Sequence, residues 1–348
     1  MKKAVMYGAG NIGRGFMGQL FCLNGYETQF IDINRTLIDQ LNTQRRYPIK
    51  IVSNEAQGEV FIENACCVDG ADINAAAEAI AQCDLMSIAV GVNLLPKIVP
   101  VLAEGLRRRS ASGHALNLIL CENKINVDIY LRELVRAGLP EAQHGFLDSH
   151  IGFIEASVGR MVPVVTEEMR GDNPLRVWVE PFCQLPIDKD AFKGEIPLLE
   201  GIVPESGFAY FIQRKLYMHN MGHCLCAYLG RLNGYRYIYE TMENETIRSL
   251  VQQAMYTSAR ALAAEHGRPL AELAEHADDL LHRFGNRYLG DTVERVGRDL
   301  QRKLGPEDRL LGAIALCKKH DIDALPIKLG VAAALLFGEE YLIKDVKL

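Results

Sequence analysis

Residues 215 to 223 read Lys-Leu-Tyr-Met-His-Asn-Met-Gly-His. Three of these side chains form a set suited to moving a proton and holding an oxygen. A lysine serves as a base when burial and nearby positive charge bring its pKa toward neutrality. An asparagine amide is a neutral hydrogen-bond donor. A histidine can hold an oxygen or orient the lysine. At about 100° per residue on an α-helix, Lys215, Asn220 and His223 span an arc of about 140°, so one helix can turn all three toward one side. Oxidation of an alcohol carbon by hydride transfer asks for such parts: a base for the hydroxyl proton and donors for the oxygen while charge develops. It also asks for a hydride acceptor, which a cofactor supplies.

The start of the chain offers a place for one. Lys3-Ala4-Val5-Met6-Tyr7 leads into Gly8-Ala9-Gly10-Asn11-Ile12-Gly13, and Asp32 lies at the end of the next strand. A glycine triplet of this spacing is weak alone, but here a strand precedes it and a helix follows. Gly8 permits a tight turn, Gly10 lets the backbone approach a pyrophosphate, and Gly13 lets helix and strand pack closely. The pyrophosphate would meet the free N–H groups of the helix start. Asp32 can accept hydrogen bonds from a ribose diol and repels a 2′-phosphate, which favours NAD over NADP; Arg35 weakens that preference. Arg14 reads either as a charge near the pyrophosphate or as a solvated side chain. Val90, Gly91 and Asn123 fall at the ends of later strands, where the other half of a dinucleotide lies.

The elements that must position these groups fall into two parts, as a length of 348 residues suggests. Up to about residue 190, apolar strands (Ala4–Tyr7, Glu27–Ile33, Leu85–Val90, Leu116–Leu120) alternate with helical patterns such as Arg35–Thr43 and Val92–Leu106. That alternation predicts an α/β, Rossmann-type doubly wound parallel sheet. Ile49–Val52 and Glu59–Ile62 read as an inserted β-ribbon, and Val162–Val165 and Val177–Glu180 as strands at the sheet's far edge. Between Gln184 and Glu205, Pro186, Pro197, Pro204, Gly194 and Gly201 break the periodicity. From 191 to 348 the expectation is a helical, all-α substrate and catalytic domain, with helices near 208–229, 244–265, 269–282, 310–319 and 327–337.

Composition excludes several classes. A net charge of −6 leaves no global basic field for nucleic acid or an anionic membrane surface. No apolar run approaches the roughly 20 residues that span a bilayer. Nine scattered cysteines suit a reducing compartment, and a strand beginning within three residues of Met1 leaves no room for a secretory signal; a cytoplasmic enzyme is the expectation. His219 and His223 stand four apart, but no HExxH pattern and no third ligand accompany them, so no metal is expected. Cys224-x-Cys226 reads as helix packing. The basic stretch from Arg283 to Arg309 reads either as a solvated face paired with Glu294, Asp299 and Asp308 or as a contact for a sugar phosphate, which arginine's planar fork suits.

Taken together, Gly8-Ala9-Gly10-Asn11-Ile12-Gly13-Arg14-Gly15, Cys121-Glu122-Asn123, Lys215…Asn220…His223-x4-Tyr228-Leu229-Gly230 and Asp291-x-Val293-Glu294-Arg295-Val296-Gly297-Arg298 with Arg302-Lys303-Leu304 resemble the polyol-specific long-chain dehydrogenases, the mannitol dehydrogenase family. The resemblance covers nearly the whole chain. It implies a metal-independent, NAD-dependent enzyme with Lys215 as general acid/base. Asn123 and Asn220 would stabilise the oxyanion, and His223 would contact substrate oxygen and support the lysine. Arg295 and Lys303 align with substrate-binding positions, with Arg298 and Arg302 beside them. The implied substrate is a sugar alcohol phosphate interconverted with a ketose phosphate, mannitol 1-phosphate and fructose 6-phosphate first. Two departures bear on it: Gly159 stands where the family usually has aspartate, and the chain ends soon after Tyr341. A hexuronate reductase of the same superfamily and a non-catalytic NAD-binding sensor are the rival readings. Monomer and dimer are both compatible with the sequence.

Overall fold

A computed structural model describes the backbone of residues 1–345 and the side chains of residues 1–338. The chain divides into two compact units, Met1–Phe208 and Ala209–Leu348. The first contains eleven strands: β1 (Lys3–Tyr7), β2 (Glu27–Asp32), β3 (Tyr47–Val52), β4 (Gln57–Ile62), β5 (Ala65–Asp69), β6 (Leu85–Ile88), β7 (Leu116–Leu120), β8 (Ile151–Glu155), β9 (Val177–Val179), β10 (Leu185–Asp188) and β11 (Ile202–Glu205). Six of them form one sheet in the order β5-β2-β1-β6-β7-β8, every pairing parallel. This is the doubly wound, Rossmann-type arrangement.

The sheet is buried on both faces, and β1 shows why its sequence is a continuous apolar run rather than an alternating one. Ala4 and Met6 point into one core with Phe16, Leu20, Phe30 and Tyr47. Val5 and Tyr7 point into the other with Ile80, Ile88, Leu102 and Leu131. Side chains of period two thus feed two separate cores. Helices cover both faces and carry local caps. Asn34 accepts from the Leu37 N–H to start Arg35–Gln44, and Asp72 accepts from Ala75 to start Ile73–Gln82.

The inserted ribbon forms as its alternation suggests, with β3 and β4 antiparallel. The expected far-edge strands differ. Val177–Val179 pairs with β3, making a separate three-stranded sheet β4-β3-β9. Residues 162–165 form no strand, because Pro163 within them lacks a ladder donor. Two strands of the main sheet, β5 and β8, were not apparent in the sequence. The stretch from 191 to 208, given above to the helical part, belongs with the first unit, where β11 pairs with β10.

Tyr47 links the ribbon to the nucleotide turn. The helix after Gly13 begins with a π-helical turn, Gly13–Met17, in which the Gly18 N–H reaches back five residues to the Gly13 carbonyl. The fully buried Tyr47 hydroxyl donates to the Arg14 carbonyl at 2.8 Å, in space that a Cβ on Gly18 would fill.

The second unit is helical. Its elements include Ala209–Arg214, a π-helical turn Lys215–Asn220, and α-helices Met221–Leu232, Glu245–His266, Leu270–Phe284, Leu311–Lys319 and Leu325–Asp345. Glu245–His266 is bounded by an Asn244 cap on Ile247 and by Gly267 at φ 62°. Among the described residues no helix is long and apolar enough to cross a membrane.

Replacing Tyr47 by Phe removes one buried donor and leaves the Arg14 carbonyl short of a partner. The expected cost is about 1–2 kcal/mol, read as a lower urea midpoint; an unchanged midpoint would mean the ribbon does not brace the turn.

Candidate active site

In the first unit the glycine turn takes the shape that its spacing suggests. Gly8 lies at φ +98°, and a Cβ there would come within 2.5 Å of the Ala89 carbonyl oxygen. A Cβ on Gly13 would run into the Gly8 carbonyl. Gly10 is different: a Cβ there meets nothing within 4 Å, so the turn is open on that side. Ala9 is fully buried, Ile12 packs on the core, and the Asn11 amide donates to the Pro163 carbonyl at 3.1 Å. Arg14 is not a solvated side chain. It is buried, with Nε donating to the Ala9 carbonyl at 2.7 Å and Nη1 to the Leu175 carbonyl, and burial lowers its pKa.

Asp32 sits at the end of β2. Its Oδ2 accepts from the Ala9 N–H at 2.8 Å, and Oδ1 accepts from Ile33 at 2.8 Å and Asn34 at 3.0 Å. A carboxylate has about four lone-pair sites, so one remains on Oδ2 for a ribose hydroxyl. The open cradle at Gly10, the helix start behind it and this carboxylate fit a dinucleotide.

Val90 and Gly91 are tied down by Glu122, to which the sequence assigned no role of its own. Glu122 Oε1 accepts from both N–H groups, at 2.8 and 2.9 Å. Burial pushes the Glu122 carboxyl up, and these two donors pull it partly back. A carboxylate within an apolar strand end, next to Asn123, was the available signal. Asn123 follows it and is exposed. The segment then enters helix Val127–Gly138 through Asn126 at φ 54°, without a side-chain cap of its own. Glu155, at the end of β8, faces that helix start. Burial and Asp128 raise its carboxyl, the Val127 and Asn126 N–H groups oppose the rise, Asp188 adds to it, and the result is about 7.

In the second unit, the sequence expectation of a plain α-helix through Lys215, Asn220 and His223 needs correcting. Residues 215–220 form a π-helical turn, with the Met221 N–H donating to the Leu216 carbonyl five residues back. Such a turn advances each residue by about 80° rather than about 100°. Lys215 and Asn220 are then about 40° apart. Three α-helical residues bring His223 back beside Lys215, so the arc narrows from about 140° to about 60°. All three residues are partly exposed, while His219 between them is buried. Burial, with Arg283, His223, Lys215 and His276 around it, holds the His219 imidazole neutral, its pKa well below the ordinary value.

His223 stacks on Phe284 at 5.1 Å between ring centroids. Its Nε2 lies 3.2 Å from Asp291 Oδ2, which leaves Nδ1 for another partner. Asp291, a second residue that sequence reading gave no role, also pairs with Arg295. Burial pushes its carboxyl up, but the His223 hydrogen bond and the His223 and Arg295 charges hold it below the usual range. The other basic positions have partners too. Arg298 meets Glu294 at 3.1 Å, and Arg302 meets Asp299 at 2.5 Å and Asp308 at 3.4 Å. Lys303 is buried with Nζ donating to the Val296 carbonyl; burial first, then Arg309, push it down to about 8. Cys224 and Cys226 are buried among packed side chains. Among the described residues no cluster of three or more His, Cys, Asp or Glu could hold a metal ion.

The parallel sheet with its glycine turn and Asp32, followed by a helical unit, defines a NAD-dependent oxidoreductase acting on CH–OH groups. A family model described as the mannitol dehydrogenase Rossmann domain matches residues 2–201, and one described as the mannitol dehydrogenase C-terminal domain matches residues 208–341. The chain belongs to the mannitol dehydrogenase family. Among solved structures it is similar to a D-sorbitol dehydrogenase in substrate-free form, with 17% identity and a TM-score of 0.82 over 96% of this chain and 80% of that one. It is also similar to Pseudomonas fluorescens mannitol 2-dehydrogenase in a ternary complex with NAD and D-mannitol, with 18% identity and a TM-score of 0.78 over 97% of this chain and 79% of that one. At such identities the likeness is one of fold.

Glu155 yields a pH prediction. Its folded pKa of about 7 lies above the unfolded value near 4.5, so between those values the folded state binds more protons. Its contribution to stability therefore falls as pH rises through that window. Glu155→Gln removes the effect. Melting temperatures measured from pH 5 to 8 should shift in favour of the variant as pH rises; a gap independent of pH would refute the assignment.

Proposed function

We propose that the protein interconverts a sugar alcohol phosphate and a ketose phosphate, mannitol 1-phosphate and fructose 6-phosphate in particular, as a mannitol-1-phosphate 5-dehydrogenase. The observation that carries the catalytic part is the narrow arc into which the π-helical turn draws Lys215, Asn220 and His223. When bound, NAD supplies the hydride acceptor. Lys215 takes the proton of the C5 hydroxyl as the carbon is oxidised, and returns it in the reverse direction. Asn220 donates to the oxygen while negative charge collects on it. His223 is fixed by Asp291 through Nε2 and by the face of Phe284, so that Nδ1 can meet either the substrate oxygen or the lysine.

The phosphate is assigned to the basic segment. Arg295, Arg298 and Arg302 each keep a partly exposed guanidinium beside a carboxylate, and Lys303 backs them from a buried position. A guanidinium paired on one edge, as that of Arg295 is with Asp291, retains donors on the other for a phosphate. A carboxylate would use the same donors, so the uronates form the second assay arm.

Purified protein with NADH should oxidise it on addition of fructose 6-phosphate, followed by absorbance. Turnover with uronates alone would assign a hexuronate reductase, and NADH binding without turnover on any ketose or uronate would assign a sensor. Lys215→Ala should lower kcat by about 10²- to 10⁴-fold while the NADH dissociation constant stays within about twofold. Equal loss of both would show the lysine to be structural.

A further inference from the structure

The cofactor reading leaves Arg35 to be explained. It is the first residue of helix Arg35–Gln44, three positions after Asp32. An arginine so placed is what a Rossmann-type site uses to hold the 2′-phosphate of NADP. On that ground Arg35 would work against Asp32.

The structure shows how this cation is occupied. Arg35 Nη2 lies 2.6 Å from Asp69 Oδ2. Asp69 is the last residue of β5 and the direct register partner of Asp32 on the neighbouring parallel strand. The other Asp69 oxygen, Oδ1, accepts from the Ala71 N–H at 3.0 Å, which fixes the carboxylate. The Asp69 side chain is 15% exposed and that of Arg35 is 72% exposed. The carboxylate is therefore the fixed member of the pair, and the guanidinium is the member that could swing elsewhere. Ligands of an open parallel sheet lie at the carboxyl ends of the strands, where Asp32 and Asp69 stand side by side.

We propose that Asp69 is a second determinant of cofactor choice: by holding Arg35, it denies the 2′-phosphate of NADP the nearby cation it needs. Asp32 repels that phosphate directly, and Asp69 removes its counter-charge. An exposed ion pair contributes little to folding stability, so the role of this one lies in where it keeps the guanidinium. The inference rests on the dinucleotide site described above and requires nothing about the sugar substrate.

The test is equilibrium binding of NADH and NADPH, each followed by nucleotide fluorescence, so that it is independent of turnover. Asp69→Asn should lower the ratio of the NADPH to the NADH dissociation constant by about tenfold, the scale of one hydrogen bond to a charged group. Asp69→Asn with Arg35→Ala should restore the ratio. Arg35→Ala alone should leave it unchanged, since the guanidinium is already engaged. An Asp69→Asn ratio equal to that of the wild type would overturn the proposal. So would an Asp69→Asn/Arg35→Ala ratio equal to that of Asp69→Asn, or a loss of NADPH affinity in Arg35→Ala alone. Unaltered protein that binds NADH yet turns over no ketose or uronate would defeat the catalytic reading and leave this one standing.

Discussion

Backbone N–H groups left without partners at the carboxyl edge of a parallel sheet are the constraint on which the nucleotide unit depends. Each strand there runs into a loop or a helix start, and helix starts expose N–H groups with partial positive charge. The chain answers with carboxylates at successive strand ends. Asp32 takes the N–H groups of Ala9, Ile33 and Asn34. Asp69 takes that of Ala71, Glu122 takes those of Val90 and Gly91, and Glu155 faces the helix start at Val127. The loops that would touch a dinucleotide are thus held by the same groups that set the charge it meets. Burying them has a cost, visible in the raised carboxyls of Glu122 and Glu155.

The helical unit solves a different problem. Lys215, Asn220 and His223 lie on one continuous helical run, so their directions are set by helical pitch. A π-helical turn over Lys215–Asn220 changes that pitch locally. A wide turn of this kind is less favourable than α-helix and is found at functional positions. Here it is enclosed by packing: His219 is buried against Phe284, and His223 stacks on the same ring. The first unit uses the same device at Gly13–Met17, where the Tyr47 hydroxyl supports the turn from the ribbon.

Much of this was legible in the residues. The glycine spacing with Asp32 marked the nucleotide turn, and two-faced apolar runs marked β1, β6 and β7. The Lys215, Asn220 and His223 spacing marked a helical run, though not its π-helical turn. β5 and β8 were harder. Ala65-Cys66-Cys67-Val68-Asp69 has few strand-forming side chains and follows the ribbon after two residues. β8 begins directly where helix His144–His150 ends, with no turn residue between them. The basic density of residues 283–309 and its carboxylate partners Glu294, Asp299 and Asp308 were legible, but not the pairing with Asp279 and Asp291.

The sequence by itself determined the α/β-then-helical class, the dinucleotide turn, and the residue types at hand for proton transfer. Those signals are local: a glycine's freedom, a strand's period and a helix's pitch act within a few positions. Only the tertiary structure decided that Asp69 engages Arg35, that Glu122 fastens Val90 and Gly91, and that Asp291 fixes His223. Those partners lie 31 to 68 positions apart along the chain. Strand register and helix packing bring them together, and a charge is defined by the group opposite it in space.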